Sequence, residues 1–262
     1  MKKILVLGHK GMLGNAVYSY LEKTNKYILL TTNERFGAPE FKEDLENSEA
    51  DIIINCIGCI PQKRYSDLEY RKVNIELPTF LETLGKKILH PSTDCEFSGK
   101  LMYPLLYKKN AYRDAEDDYG KSKAYISEVI EQSFKNTKII RTSIIGHELK
   151  SSLSFLDWFL FSENEVKGYT NHYWNGITTL QWAQLAESYI DNWEMYPRLG
   201  QYGTTDSLSK YEVLKIIQTI YNKNIKIEPY ATPVAINKSL ASDIPLPSIK
   251  SQLQDLKVFY KR

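Results

Sequence analysis

Over the first 145 residues, short apolar runs alternate with longer stretches whose apolar positions recur every three to four residues. Lys3–Leu7 (KILVL), Tyr27–Thr32, Asp51–Cys56 (DIIINC), Lys87–His90 and Thr137–Thr142 read as buried strands. Gly11–Thr24 and Asp118–Ser133 read as helices, and so does Leu68–Leu84, with Leu68, Val73, Leu77, Phe80, Leu81 and Leu84 as its apolar positions. The segment 40–50 is a short polar stretch leading into the third strand. Strand and helix in turn predict an α/β fold, a doubly wound parallel sheet with helices on both faces. Beyond residue 145 the alternation loosens. Helix-like stretches at 151–162, 178–194 and 207–222 are separated by GYTNHYWNG and PRLGQYGTT, and 229–247 holds four prolines, a pattern of irregular chain. The expected organisation is a dinucleotide-binding domain over 1–146 that carries the catalytic residues, and a smaller substrate-binding lobe over 147–262, partly interleaved with it.

Composition narrows the class. The 262 residues include 34 Lys and Arg against 32 Asp and Glu, a net charge of +2, which offers no electrostatic footprint for nucleic acid or a membrane surface. Three cysteines make no disulfide framework, so a reducing cytoplasm is the expected compartment. No apolar run reaches the ~20 residues that a membrane span needs. The basic start followed by Ile4–Leu7 is too short for the core of a signal peptide, and glycines follow at once.

The first strand leads into GHKGMLG, with Gly8, Gly11 and Gly14 spaced GxxGxxG. Glycines between a strand and a helix permit a tight turn, close backbone approach to a pyrophosphate, and close helix–strand packing. The helix that follows aims free N–H groups at the phosphates. Lys10, Met12 and Leu13 complete this expected cradle. At the end of the second strand, TTNERFG places Thr32 and Asn33 where an acid would meet a ribose 2′-hydroxyl, with Arg35 following. That exchange favours a 2′-phosphate, hence NADPH over NADH. The other reading gives the acid role to Glu34 or leaves Arg35 a solvated surface charge.

DYGKSKA, residues 118–124, places Tyr119 four residues before Lys123 on one helix face. A free phenol has a pKa near 10, and a neighbouring ammonium lowers it, so such a pair can act as general acid toward a carbonyl. Upstream, HPSTDCEFSG follows an apolar strand, which puts the hydroxyls of Ser92 and Thr93, with Asp94 beside them, at the carboxyl end of the sheet.

Taken together, GHKGMLG, STDCEFSG and YGKSKA resemble the extended short-chain dehydrogenases/reductases, and most closely the dTDP-4-dehydrorhamnose reductases with their STDxxFxG and YGxSKxxxE segments. Glu128 fits the final acid of the second pattern, Val73-Asn74 fits the family's VN, IIRTSIIG (139–146) matches the strand after the catalytic helix, and WNGITTLQWAQLA (174–186) its substrate-lobe segment. The resemblance implies a Rossmann-like fold and a catalytic set of Thr93, Tyr119 and Lys123. Tyr119 would protonate the product alkoxide, Lys123 would hold the nicotinamide ribose and depress the tyrosine pKa, and Thr93 would orient the carbonyl. It also implies cofactor contacts from Cys56, Ile57, Gly58 and Asn74, and reduction by NADPH of the 4-keto group of a nucleotide-linked 4-keto-6-deoxy sugar. The sequence departs from the family pattern at CIGCIPQ after the third strand, at KLMYPLLYKKNAYRDAEDD between the two catalytic motifs, and at GHELKSSLSFLDWF.

Aromatic and polar residues of the later chain, His147, Trp158, Tyr169, Trp174 and Asn175, are candidates to line the sugar pocket or to form ordinary lobe core. Cys56 and Cys59 form a CxxC, but no second ligand pair accompanies it, so no metal is expected and the motif reads as packing beside the cofactor. A homodimer is common in the resembled family. Other readings are an epimerase or dehydratase of the same fold, or a non-catalytic regulatory subunit. The joint presence of Thr93, Tyr119 and Lys123 favours an active reductase.

Overall fold

Every second residue of the apolar runs faces one side of a sheet, and that alternation organises the molecule. The computed structural model describes residues 1–63 and 65–262. β1 (Lys3–Leu7) leads to α1 (Met12–Thr24), β2 (Ile28–Leu30), α2 (Pro39–Glu46) and β3 (Ile52–Asn55). A helical run follows: α3 (Asp67–Tyr70), a π-helical turn (Arg71–Glu76) and α4 (Leu77–Thr83). Then come β4 (Lys87–Ser92), α5 (Asp118–Ser133) and β5 (Thr137–Arg141). The later chain forms β6 (Ile144–Ile145), α6 (Phe155–Phe161), β7 (Val166–Tyr169), β8 (His172–Trp174), β9 (Ile177–Thr178), α7 (Thr179–Asp191), β10 (Leu199–Gln201), β11 (Leu208–Ser209), α8 (Lys210–Tyr221), β12 (Ile227–Tyr230), β13 (Ile236–Asn237) and α9 (Ile249–Tyr260).

Six strands form one parallel sheet in the order β10-β5-β4-β3-β1-β2. From β1 the chain crosses to β2 on one side and then returns to β3 on the other. The crevice between the carboxyl ends of β1 and β3 is therefore the switch point at which such sheets bind ligands. Ile4, Val6, Ile52 and Ile54 face α1 and α7, with Trp182 fully buried between them. Leu5, Leu7 and Ile53 face the opposite way, onto Phe41, Leu77 and Leu81. The later chain contributes β10 and α7 to this unit, and α7 packs along α1. A second core, with Leu156, Phe159, Val213, Ile217 and Leu253 at its centre, joins α6, α8 and α9.

Three of the helical elements differ from the sequence reading, and the strands beyond β6, β10 of the main sheet among them, lie in chain read as loop or helix. The polar segment 40–50 contains α2, which Pro39 opens and which buries only Phe41 and Leu45, one helical turn apart. Two apolar residues are too few to show a period. The expected single helix over 68–84 is interrupted by the π turn, and Leu68 is 77% exposed. Pro78 explains the interruption: it has no N–H to give the carbonyl of Asn74, and its ring crowds that carbonyl, so the preceding turn widens. The widened turn buries Asn74. The terminal helix α9 is absent from the sequence reading, since it follows a proline-rich segment. Ser248 caps it, accepting from the Ser251 N–H at 3.3 Å.

Candidate active site

The glycine loop closes on itself at the end of β1. Gly8 has φ +73°, a conformation that L side chains rarely adopt. Its carbonyl accepts from the Gly11 N–H at 2.8 Å. A Cβ on Gly14 would lie 2.2 Å from the Gly8 oxygen, so α1 can pack this tightly on the loop only with glycine there. Gly11 caps α1 without any side-chain acceptor, which leaves the first amides of the helix for an outside anion.

The loop after β3 is held from both sides. Asn55 Oδ1 accepts from the Ile57 N–H at 3.1 Å. Asn74, turned inward by the π turn, accepts from the Cys59 N–H at 2.9 Å and donates to the Cys59 carbonyl at 3.2 Å and to Ser122 Oγ at 3.1 Å. One amide thus ties the loop to α5.

Between these loops opens a cleft of about 440 Å³. Gly11, Met12, Leu13, Cys56, Ile57, Gly58 and Asn74 line one part of it, and Thr93, Asp94, Tyr119, Lys123 and Trp174 another. Thr93 Oγ1 accepts from the Cys95 N–H at 3.1 Å and donates to Asp94 Oδ1 at 3.0 Å. Tyr119 and Lys123 extend from the first two turns of α5, whose N-cap Asp117 accepts from the Gly120 N–H at 2.7 Å. Burial pushes the Tyr119 phenol well above its ordinary value, and a hydrogen bond with Thr93 only partly opposes it. Burial also brings Lys123 down to about 8, against the charge of Glu96. Lys123 Nζ donates to the Pro91 carbonyl at 2.7 Å and lies 3.2 Å from His90 Nε2. The expected lowering of the tyrosine pKa by this lysine is therefore not seen here: Lys123 Nζ lies against β4, and desolvation governs the phenol.

Beneath the carboxyl end of β4, the fully buried Glu96 accepts from Ser92 and Ser127 on one oxygen and from Arg113 at 2.7 Å on the other. Arg141 Nη2 also approaches at 2.7 Å, as an ion pair without hydrogen-bond alignment. This cluster ties β4, β5 and α5 together under Thr93.

Other expected residues fall outside the cleft lining. Lys10, Asn33 and Arg35 are exposed, the last two in the loop after β2. His147 is a correction: it is buried in the C-terminal lobe, with Nδ1 2.7 Å from Asp157 and Nε2 3.0 Å from the Tyr221 hydroxyl. Asn175 is another. Its Nδ2 donates to the carbonyls of Thr204 and Leu240 and its Oδ1 accepts from the Leu240 N–H, so it braces loops. Trp158 and Tyr169 are half-exposed and lie outside the cleft. Cys56 and Cys59 are both free thiols, and burial pushes both upward, Cys59 to about 11, so neither offers a thiolate at neutral pH. Among the described residues, no group of three or more His, Cys, Asp or Glu could hold a metal ion, and no helix is long and apolar enough to cross a membrane.

The cleft also takes residues that motif reading does not find: Tyr173, Lys210 and Lys238. Pairing of β8 with β11 and β13 brings them in from three distant segments. Backbone bonds from Asn237 to Gly99 and between Tyr107 and Ser239 fasten the proline-rich segment to the loop after β4.

Comparison with known proteins agrees with this architecture. The spore coat polysaccharide biosynthesis protein SpsK of Bacillus subtilis is 29% identical over 157 residues, covering 56% of this chain and 55% of that protein, so the chain matches about half the length of this curated relative. The dTDP-4-dehydrorhamnose reductase of Clostridium acetobutylicum superposes with a TM-score of 0.81 at 19% identity, over 99% of this chain and 100% of that one. That of Bacillus anthracis, solved in complex with NADP, superposes with a TM-score of 0.84 at 17% identity, over 98% and 99%. At these identities the structural likeness is one of fold. The family described as the RmlD substrate binding domain matches residues 1–166, more than half of the sequence, and the chain belongs to that family.

Proposed function

We propose that this protein is an NADPH-dependent reductase acting on the 4-keto group of a nucleoside-diphosphate 4-keto-6-deoxyhexose, as a step in making a deoxysugar for surface polysaccharide. The observation that carries the reading is the meeting of Thr93, Tyr119 and Lys123 in the cleft that the glycine loop opens into. The loop fits a dinucleotide: a Cβ at Gly14 would fill the space its tight packing needs, and the α1 amides are uncapped. The Bacillus anthracis relative with NADP supports the cofactor, and SpsK supports the polysaccharide setting.

NADPH, when bound, supplies the hydride. The chain's own residues do the rest. Gly8, Gly11 and Gly14 let the backbone approach the pyrophosphate. Thr93 holds the carbonyl oxygen by its hydroxyl. Tyr119 gives its proton to the alkoxide, and its raised pKa keeps it protonated for that task at neutral pH. Lys123 holds the ribose and carries positive charge beside the reacting oxygen. Lys210 suits an anionic substrate. Among the described residues it makes no hydrogen bond or ion pair, and it sits 4.6 Å above the Phe155 ring and 5.4 Å from that of Trp174.

The test is NADPH oxidation with a panel of 4-keto-6-deoxy sugars on dTDP, UDP, GDP and CDP. Turnover of one member, lost in Tyr119→Phe while NADPH still binds, is the expected result. NADPH binding without turnover of any member would overturn the reductase reading.

A further inference from the structure

His90 is a buried titratable group, 1% exposed, for which the reaction above has no use. It lies on β4 between Asn55 of β3 and Lys123 of α5. The hydrogens in this chain of contacts can be counted. The Ile57 N–H donates to Asn55 Oδ1, which fixes the orientation of the amide. Asn55 Nδ2 must then donate to His90 Nδ1, 3.2 Å away. A neutral imidazole that accepts at Nδ1 carries its proton on Nε2. That proton points at Lys123 Nζ, also 3.2 Å away. An uncharged lysine can accept it on its lone pair and still donate to the Pro91 carbonyl. A charged lysine has only donors to offer, and the contact becomes repulsive.

We propose that His90 is a positioning residue for Lys123: fixed by Asn55 with its proton on Nε2, it holds the uncharged lysine against β4 and turns the ammonium away, toward the cleft. Uptake of a proton by Lys123 thus moves Nζ from the strand toward the hydroxyl of Tyr119. The cleft reading gives this movement its use, but the movement itself does not depend on that reading. The charged and titratable groups around the pair are few. Glu96, from the turn after β4, favours the ammonium and is itself paired with Arg113 and, on β5, with Arg141. Tyr119 lies one turn back on α5, and Asn55 of β3 is uncharged. Burial and the lysine's charge hold the imidazole below its ordinary pKa, so His90 does not itself ionise near neutral pH.

The experiment uses the full chain without cofactor, labelled with ¹⁵N-histidine. The four histidines give few enough signals for His90 to be assigned by its loss in His90→Gln. Long-range ¹H–¹⁵N spectra between pH 6.5 and 10 report the tautomer. Expected are the Nε2–H form at high pH and a step in the His90 nitrogen shifts near the lysine titration, with no imidazolium signature. The step should vanish in Lys123→Met, where the Nε2–H form persists throughout. In Asn55→Asp the carboxylate would accept from Nδ1–H, so Nε2 would accept from the ammonium and the step should move up by about one pH unit or more. Wild-type His90 in the Nδ1–H form at high pH, or a step that survives Lys123→Met, overturns the proposal. Because no turnover is measured, failure of the reductase reading leaves this result standing, and the reverse also holds.

Discussion

Gly14 is where the fit between helix and cofactor loop is tightest, and its replacement by alanine has a calculable effect. The added Cβ would stand 2.2 Å from the Gly8 oxygen, 2.6 Å from its carbon and 2.9 Å from the His9 nitrogen, all backbone atoms. Reaching an ordinary contact requires the loop and α1 to separate by about 1 Å, an overpacking that costs ~1–3 kcal/mol of stability. The same movement takes the α1 amides out of range of a phosphate, since hydrogen bonds span only ~2.7–3.2 Å. Bonds to a charged group contribute ~1.5–3 kcal/mol each, so losing two weakens NADPH binding at least about 100-fold. The neighbouring glycines set the scale: a Cβ on Gly11 would meet the Gly8 oxygen at 3.3 Å, and one on Gly58 meets nothing nearer than 3.8 Å. Thermal melts should therefore rank Gly14→Ala well below wild type, with Gly11→Ala slightly reduced and Gly58→Ala unchanged. Titration of NADPH fluorescence gives the affinity. Binding of NADPH to Gly14→Ala within threefold of wild type, at an unchanged melting temperature, would refute this account of the loop.

Tyr119→Phe should keep NADPH affinity within about twofold and lose at least ~100-fold in kcat, the usual contribution of a general acid; stopped-flow hydride transfer measures it. Lys123 is charged in the unfolded chain up to about 10.4 but in the fold only up to about 8. The fold therefore carries its full penalty below pH 8 and sheds it as pH rises toward the unfolded value. Lys123→Met should gain stability relative to wild type at pH 7, and that gain should fall by about 3 kcal/mol by pH 10.5 in urea titrations; a pH-independent difference would contradict the assignment. Asn175→Ala removes three buried hydrogen bonds and should cost ~2–4 kcal/mol of stability while leaving KM near wild type, because the side chain braces loops outside the cleft. Lys210→Gln should raise substrate KM about tenfold or more, with a weaker salt dependence and little change in kcat; an unchanged KM would remove Lys210 from substrate recognition.

The motifs that rest on backbone geometry are legible in the sequence itself. GxxGxxG after an apolar strand implies a turn that only glycine permits, and Gly8 and Gly14 occupy such a turn. Tyr119 and Lys123 share a helix face because the helical period requires it, and Thr93 sits at a strand end because Lys87–His90 is apolar. α2 and α9 are not legible, because two buried residues show no period and a cap after four prolines is a weak signal. The substrate contacts expected of His147 and Asn175 fail for a common reason. A polar residue near a motif shows which segment it belongs to, but not whether its partner is a ligand or a group on another loop or helix.

Sequence alone determined the strand–helix alternation, the parallel sheet, the switch-point loop, the shared helix face of Tyr119 and Lys123 and the strand-end place of Thr93, since each follows from local periodicity or from residues within one or two turns; that these three form one set is what the family resemblance implies. Only the tertiary structure decided the rest of the cleft. Lys210 and Lys238 arrive through β8, β11 and β13, and no spacing along the chain encodes that pairing. Whether a side chain is a cation for a ligand, a braced amide or a desolvated base depends on which groups surround it. For Lys123 those groups, His90, Pro91 and Glu96, lie about 30 residues away along the chain and within hydrogen-bond or charge reach in space.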